Sequence, residues 1–338
     1  GYMSRVVFLM DRVMRRYGLS GKSIVPLISG TACAIPAVMA TRNIENWKER
    51  LITILVVPFT TCSARLPVYL IIISLVIPEG SVIGLSYQAL TLMALYLLGF
   101  AMAIFSAFVL DRVLKTKHKT FFVVEMPNYK LPLIKNVIIT VIEKTKTFVF
   151  EAGKIILAIS VILWIMASYG PDDKFYNAES YVKQTSELQS TDDYNDQIAA
   201  YKLEHSYIGI VGKTIEPLIR PLGYDWKVGI GIVASFAARE VFVGTLATIY
   251  SVGSAGEGEN IETIKTKMAN ETYVDGTKVF TLASGISLLL FYAFAMQCMS
   301  TLAIVRRETK TWKWPILQLL GMTAIAYVCA LIAFQLLK

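Results

Sequence analysis

The sequence predicts an all-α fold, a polytopic membrane helical bundle of two inverted repeats that contain re-entrant hairpins and broken helices. Three observations lead there. Of 338 residues, 55% are hydrophobic and only 17% charged, which is more apolar and less charged than an ordinary soluble domain. The apolar stretches Gly84 to Leu110, Thr147 to Ser168, Thr281 to Val305 and Trp314 to Leu337 reach or exceed the roughly 20 residues that a helix needs to cross about 30 Å of hydrocarbon. Other apolar runs are interrupted at their centres by Pro, Gly, Cys or Arg, while the period-two alternation of an outer-membrane barrel is absent.

Taken in order, residues 1–17 read as the end of a helix, with Gly18 as its C-cap. A hairpin over about 22–41 follows, too short and too interrupted by Pro26, Gly30 and Pro36 for a clean span. The broken helix 51–77 carries Pro58, Cys62, Arg65 and Pro67 at its middle, and an unbroken helix completes a first repeat over 1–110. A basic amphipathic connector, 111–146, leads to a transmembrane helix, 147–168, and a polar, mainly acidic loop, 169–205. The second repeat, 206–338, comprises a hairpin region 206–250 with Arg239-Glu240 inside it, a polar loop 251–278, a broken helix 281–305 and a last helix 313–337.

The formal charge of +8 fits topology signals on cytoplasmic loops. No basic patch with interleaved aromatics appears, so nucleic acid is excluded as a partner and the lipid bilayer is the expected one. With the basic segments inside, both acidic loops fall outside only if each hairpin enters and leaves from one face. The spacing agrees with a repeat: Cys33 precedes Cys62 by 29 residues, and Glu240 precedes Cys298 by 58, or about 30 once the 28-residue loop 251–278 is removed. Broken helices in corresponding places of two halves are a transporter signature, because unwound backbone is tolerated at membrane depth only where protein or a cavity satisfies it.

Gly18 to Ser23 resembles the end of a phosphate-binding loop, but Arg16 stands where its first glycine should be, so a helix-ending turn is the reading. The opening Gly1-Tyr2-Met3-Ser4-Arg5, without initiator methionine or signal pattern, is expected to be an internal stretch of a longer protein. Four cysteines, all in apolar segments, make no disulfide framework.

The interruptions concentrate chemistry. Cys33, Cys62 and Cys298 are soft thiol ligands for a late first-row divalent metal, Glu240 supplies charge balance, and Thr61, Ser63 and Ser300 offer secondary hydroxyls. Cys329, in a smooth span, reads as an apolar filler. A charge at mid-bilayer costs about 2.5 to 3.5 kcal/mol even on the lenient insertion scale, so Arg239-Glu240 is either a structural ion pair or a carboxylate on a permeation path. Arg65 either holds a broken helix end through carbonyl bonds or repels cations. Pro36 and Gly30 shape the first hairpin tip. His118 and His205 fall in polar loops, and the absence of His-Glu-x-x-His and Gly-x-Ser-x-Gly leaves no catalytic residues and no enzyme.

The words GYMSRVVFLMDRVMRRYGLSGKSIVPLISGTACAIPAVMATRNIEN, RLITILVVPFTTCSARLPVYL and AAREVFVGTLATIY, with the Cys298 segment leading into Arg306-Arg307-Glu308, resemble the membrane domain of the FeoB family of ferrous iron transporters, in the family's order over nearly the whole chain. The resemblance implies two Gate-type repeats and an Fe²⁺ path whose candidate residues fall on Cys33, Cys62, Glu240 and Cys298, with Fe²⁺ as transported substrate. It also implies a bacterial inner-membrane location, an N-terminal GTPase domain through which alone GTP and Mg²⁺ would act, a small FeoA-type accessory protein, and room for an oligomer. Ala34 and Gln297 depart from the family's common Asn and Pro beside the motif cysteines. The alternative expectation is a Gate-type carrier of an organic solute such as a nucleoside.

Overall fold

The computed structural model describes residues 2–78, 80–82, 84–114, 133–171, 173–180, 198, 201–236, 239, 241–249, 266, 268–269, 272, 278–296 and 298–338. Three of the residues singled out above, His118, Glu240 and Gln297, lie outside them, as does most of the loop 251–278. The described chain is almost wholly helical. Among the described residues four helical stretches are long and apolar enough to cross a membrane: Trp47–Val76, Tyr87–Val113, Leu282–Thr309 and Lys313–Leu337. The chain divides into two compact units, Gly1–Ser63 with Leu95–Ile156 and Met299–Met322, and Ala64–Ala94 with Leu157–Cys298 and Thr323–Lys338.

In the first unit, α1 (Tyr2–Met14) buries Val7, Asp11 and Met14, the i, i+4, i+7 spacing of a packed helical face. The buried Asp11 carboxylate accepts the Gly21 N–H at 2.9 Å and pairs with Arg15 at 2.5 Å. The helix tightens into a 3-10 turn, Arg15–Tyr17, and stops at Gly18, whose φ of 74° is left-handed and free of strain only for glycine. The N–H of Leu19 returns to the Met14 carbonyl at 3.1 Å, so Gly18 to Ser23 holds the helix-ending turn expected of it.

Two seven-residue helices come next, α2 (Ile24–Gly30) and α3 (Ala34–Ala40), packed against each other. Pro36 is the third residue of α3, where its missing N–H has no partner to lose; in a helix continuous with α2 it would strand the Ala32 carbonyl. α4 (Trp47–Val56) opens on the Asn46 side chain, which accepts the Lys48 N–H at 3.0 Å, and runs into a 3-10 turn at Val57–Phe59. α12 (Met299–Thr309) packs on α3. Its buried Glu308 carboxylate receives Arg42 Nε at 3.0 and 3.1 Å, Arg42 Nη2 at 2.5 Å and Arg50 Nη2 at 2.6 Å. A carboxylate held by two guanidinium groups has its charge matched and its lone pairs filled.

In the second unit, α5 (Leu66–Val76) packs on α11 (Leu282–Phe294), which starts in a capping box between Thr281 and Ser284. A two-residue hairpin, β1 (Ser81–Val82) against β2 (Leu85–Ser86), is a small departure from the all-α expectation. α8 (Tyr207–Ile219) repeats the form of α1: thirteen residues, a 3-10 turn at Arg220–Leu222, then left-handed Gly223 at φ 81°. The next N–H, Tyr224, again returns five residues to Ile219, at 3.4 Å. α9 (Trp226–Ala234) and α10 (Val241–Ile249) follow, so the element order of the first hairpin recurs in the second.

Three long helices contribute to both units: α6 (Tyr87–Val113), α7 (Ile134–Ser168) and α13 (Lys313–Leu337). α7 corrects the sequence reading, because its 35 residues begin inside the predicted connector 111–146 and not at 147. Pro132 precedes it and no Pro or Gly follows before Gly153, so nothing stops the helix earlier. The second broken helix also continues past 305 to Thr309.

Gly99 on α6 lies against the interruption of Trp47–Val76. A Cβ there would stand 2.8 Å from Thr61 Oγ1 and 3.1 Å from the Phe59 carbonyl, whereas a Cβ on Gly321 would meet nothing within 4 Å. Gly99→Ala is expected to destabilise by about 1–3 kcal/mol through overpacking and Gly321→Ala to be neutral or gain up to about 1 kcal/mol. Thermal unfolding of the two variants in detergent measures the difference; equal midpoints would contradict it.

Candidate functional site

The interruption of Trp47–Val76 has a physical cause in the sequence. Pro58 has no N–H to give the Ile54 carbonyl, its partner in a continuous helix. Gln318 on α13, within the same unit, supplies the missing donor: its Nε2 lies 3.3 Å from the Ile54 carbonyl and 3.0 Å from that of Leu55. Thr60 turns extended, with φ −63° and ψ 136°, and its hydroxyl donates back to the Val57 carbonyl at 2.7 Å. Gly30 of α2 fits against that hydroxyl, leaving no room for a side chain. After Cys62 the chain resumes as a 3-10 turn, Ser63–Arg65, and then α5.

The hairpin is broken in the same manner. α2 ends at Gly30, Thr31 and Ala32 form a turn, and Cys33 stands extended, φ −156° and ψ 134°, as the N-cap of α3. Ser63 Oγ donates to the Ala32 carbonyl at 2.9 Å. One hydrogen bond thus joins the residue before Cys33 to the residue after Cys62, and the first unit brings these two interruptions together. Cys62 is buried and Cys33 half-buried. Thr61 Oγ1 and, at the start of α12, Ser300 Oγ are buried hydroxyls that find no partner among the described residues. Such a group ordinarily costs about 1–3 kcal/mol, so both are retained against stability. Ser63, in contrast, is exposed and spends its hydroxyl on backbone.

In the second unit α11 ends at Phe294, and Ala295, Met296 and Cys298 are not helical. Its last carbonyls are taken by two arginines. Arg65 donates Nη1 to Ala293 at 2.9 Å and Nη2 to Ala295 at 3.3 Å. Arg239 donates Nη1 to Tyr292 at 3.2 Å and Nη2 to Ala295 at 2.8 Å and to Met296. Arg65 is 0% exposed and Arg239 4%, and the Arg239 guanidinium also lies 5.2 Å from the centre of the Tyr292 ring. Cations complement the partial negative charge at a helix C-terminus. Of the two readings of Arg65, the structure has the one in which it holds a broken helix end. Arg239 does the same, beside Glu240, which lies outside the described residues.

Cys298, half-buried, immediately precedes α12. Cys33 and Cys298 therefore stand directly before the helix that resumes, and Cys62 directly before the 3-10 turn that leads into α5. Cys329 differs, sitting within α13. Among the described residues no three His, Cys, Asp or Glu side chains gather into a metal-holding group. Missed by sequence reasoning were Gln318, a lone amide in an apolar span, and Gly99, one glycine among small residues; the interruption at Pro58 was the available signal that something must reach its carbonyls.

Residues 1–76 and 149–312 match the family model Gate, described as nucleoside recognition, and residues 92–144 match one described as ferrous iron transport protein B C terminus. The Fe(2+) transporter FeoB of Leptospira interrogans serogroup Icterohaemorrhagiae serovar Lai (strain 56601) is 44% identical over 336 residues, 99% of this chain and 46% of its own length. The Fe(2+) transporter FeoB of Staphylococcus aureus (strain MSSA476) is 35% identical over 336 residues, 99% of this chain and 44% of that protein. A Fe(2+) transport protein A/Fe(2+) transporter FeoB fusion protein of Porphyromonas gingivalis (strain ATCC BAA-308 / W83) is 32% identical over 351 residues, 99% of this chain and 40% of the fusion. The chain thus spans less than half the length of these curated relatives. No solved structure matches it.

The carbonyl bonds make a direct prediction. Arg65→Met keeps the apolar stem but leaves the Ala293 carbonyl without this donor, at a cost of about 1–3 kcal/mol or more, while Arg65→Lys restores a charge without the fork. Unfolding midpoints should fall in the order wild type, Lys, Met. A Met variant as stable as wild type would show that Arg65 is not the cap.

Proposed function

We propose a function from this premise: the chain belongs to the Gate family and corresponds to the membrane portion of the ferrous iron transporter FeoB. It carries Fe²⁺ across the bacterial inner membrane as the transmembrane part of a GTPase-coupled transporter. The observation that supports this most is the placement of Cys33, Cys62 and Cys298 at interruptions, each where helical structure resumes as a helix or a 3-10 turn, with the first two interruptions joined by the Ser63 to Ala32 hydrogen bond.

In this reading the two halves are inverted repeats, and the regions 22–41 and 206–250 re-enter the membrane from opposite faces. The recurrence of a thirteen-residue helix, 3-10 turn, left-handed glycine, helix, break and helix supports a repeat. Fe²⁺ exchanges waters for the thiols of Cys33, Cys62 and Cys298, Glu240 balances charge, and the unpartnered hydroxyls of Thr61 and Ser300 complete the shell, with Ser63 beside them. Pro36, Arg65 and Arg239 hold the interruptions open. Passage needs sites weak enough to release the ion, so thiols engaged in turn suit it better than a closed cluster. GTP and Mg²⁺ act in an N-terminal domain outside this chain, and the Porphyromonas fusion supports a small FeoA-type partner.

Fe²⁺ uptake under anaerobic conditions into liposomes carrying the full-length protein tests the reading. Cys62→Ser should lower uptake roughly tenfold, the scale on which metal sites respond to altered ligation, with folding intact; unchanged uptake removes Cys62 from the path. Thr61→Val separates function from structure more sharply. Losing an unpartnered buried hydroxyl should leave stability equal or raised while uptake falls. A variant that is less stable, or as active as wild type, would contradict the role given to Thr61. The family description, nucleoside recognition, favours a second reading, carriage of a nucleoside; competition of nucleosides with Fe²⁺ uptake would support it.

A further inference from the structure

A cavity of about 570 Å³ in the second unit is lined by Arg220, Lys278 and Lys338 together with Leu282, Phe334 and Leu337, and among the described residues no Asp or Glu lines it. Its volume lies within the roughly 300–1,000 Å³ of small-ligand sites. Arg220 belongs to the 3-10 turn after α8, Lys278 precedes α11, and Lys338 follows α13, so three separate elements each bring one cation to the same place. All three are exposed, and among the described residues none is in an ion pair. Lys338 Nζ rests 5.8 Å from the centre of the Phe334 ring. A second hollow, of about 650 Å³, shares Arg220 and Lys338 and adds one carboxylate, Glu216.

Three like charges facing one cavity repel one another, and an anion relieves that repulsion. The depth of the cavity identifies which anion. Leu282 is the first residue of one candidate membrane span and Leu337 the last of another, so the cavity lies where two spans leave the hydrocarbon. α13, with 25 residues, is about 37 Å long against about 30 Å of hydrocarbon, which puts its last turn at headgroup level. The lining divides accordingly, with apolar Leu282, Phe334 and Leu337 to meet acyl chain and the cations to meet phosphate. We propose that this cavity binds the headgroup phosphate of an anionic phospholipid.

Unfolding of the full-length protein in detergent, titrated with phosphatidylglycerol, phosphatidylcholine or inorganic phosphate, tests this. Phosphatidylglycerol should raise the midpoint saturably, and the other two should not at the same concentration. A basic residue near a membrane surface is worth about fivefold in binding to anionic lipid, so Arg220→Gln/Lys278→Gln should weaken the phosphatidylglycerol response roughly thirtyfold and each single variant about fivefold, with the lipid-free midpoint unchanged. Undiminished binding by the variants would overturn the site. Equal stabilisation by inorganic phosphate would overturn the lipid and make the cavity a soluble-anion site.

Discussion

A helix that stops inside an apolar protein leaves carbonyls with no donor, and in this chain three such stops, after α2, α4 and α11, are answered by named side chains. In hydrocarbon an unsatisfied backbone group costs several kcal/mol, so an interruption at membrane depth can persist only if the surrounding protein supplies its hydrogen bonds. Arg65 and Arg239 do so at the end of α11. Gln318 does so at the end of α4, where Pro58 removes the ordinary donor. Ser63 does so for Ala32. Cys33, Cys62 and Cys298 each stand at one of these interruptions, just before helical structure resumes.

The two broken spans meet the same demand with different chemistry. At Val57 to Cys62 the donors are neutral, an amide and a threonine hydroxyl, whereas at Ala293 to Met296 they are two buried guanidinium groups. The end of α11 thus carries two fixed cations where the end of α4 carries none. Close packing imposes a second constraint. The extended segment at Thr60 and Thr61 can lie between α2 and α6 only because Gly30 and Gly99 have no side chains there.

Much of this was legible in the sequence, since Pro and Gly inside an apolar run weaken or stop a helix whatever surrounds them. The interruptions near 31–33 and 60–62 fall where Gly30, Pro36 and Pro58 place them, whereas no Pro or Gly between Gly285 and Pro315 marks the one that begins at Ala295. Other features were hidden because they depend on which distant helices become neighbours. Nothing local marks Gln318 as the partner of a carbonyl 264 residues away, or Glu308 as the shared partner of Arg42 and Arg50. One clue lay in the sequence itself: Arg15-Arg16-Tyr17-Gly18-Leu19-Ser20-Gly21-Lys22 and Arg220-Pro221-Leu222-Gly223-Tyr224-Asp225-Trp226-Lys227 share Arg, Gly and Lys at fixed offsets. Those glycines carry the two matching left-handed turns, a stronger repeat signal than the cysteine spacing. The start of α7 was misplaced because apolar length was weighed there ahead of the missing helix stop.

The central claim is that the thiols at the interruptions meet the passing metal. Optical titration of the full-length protein with Co²⁺ under anaerobic conditions, as a spectroscopic substitute for Fe²⁺, tests it most directly, because sulfur-to-metal charge transfer reports thiolate ligation itself. The account predicts a charge-transfer band that Fe²⁺ displaces and that weakens when Cys33, Cys62 or Cys298 becomes serine, but not when Cys329 does. Binding of Co²⁺ without such a band, or a band that only Cys329→Ser removes, would contradict it.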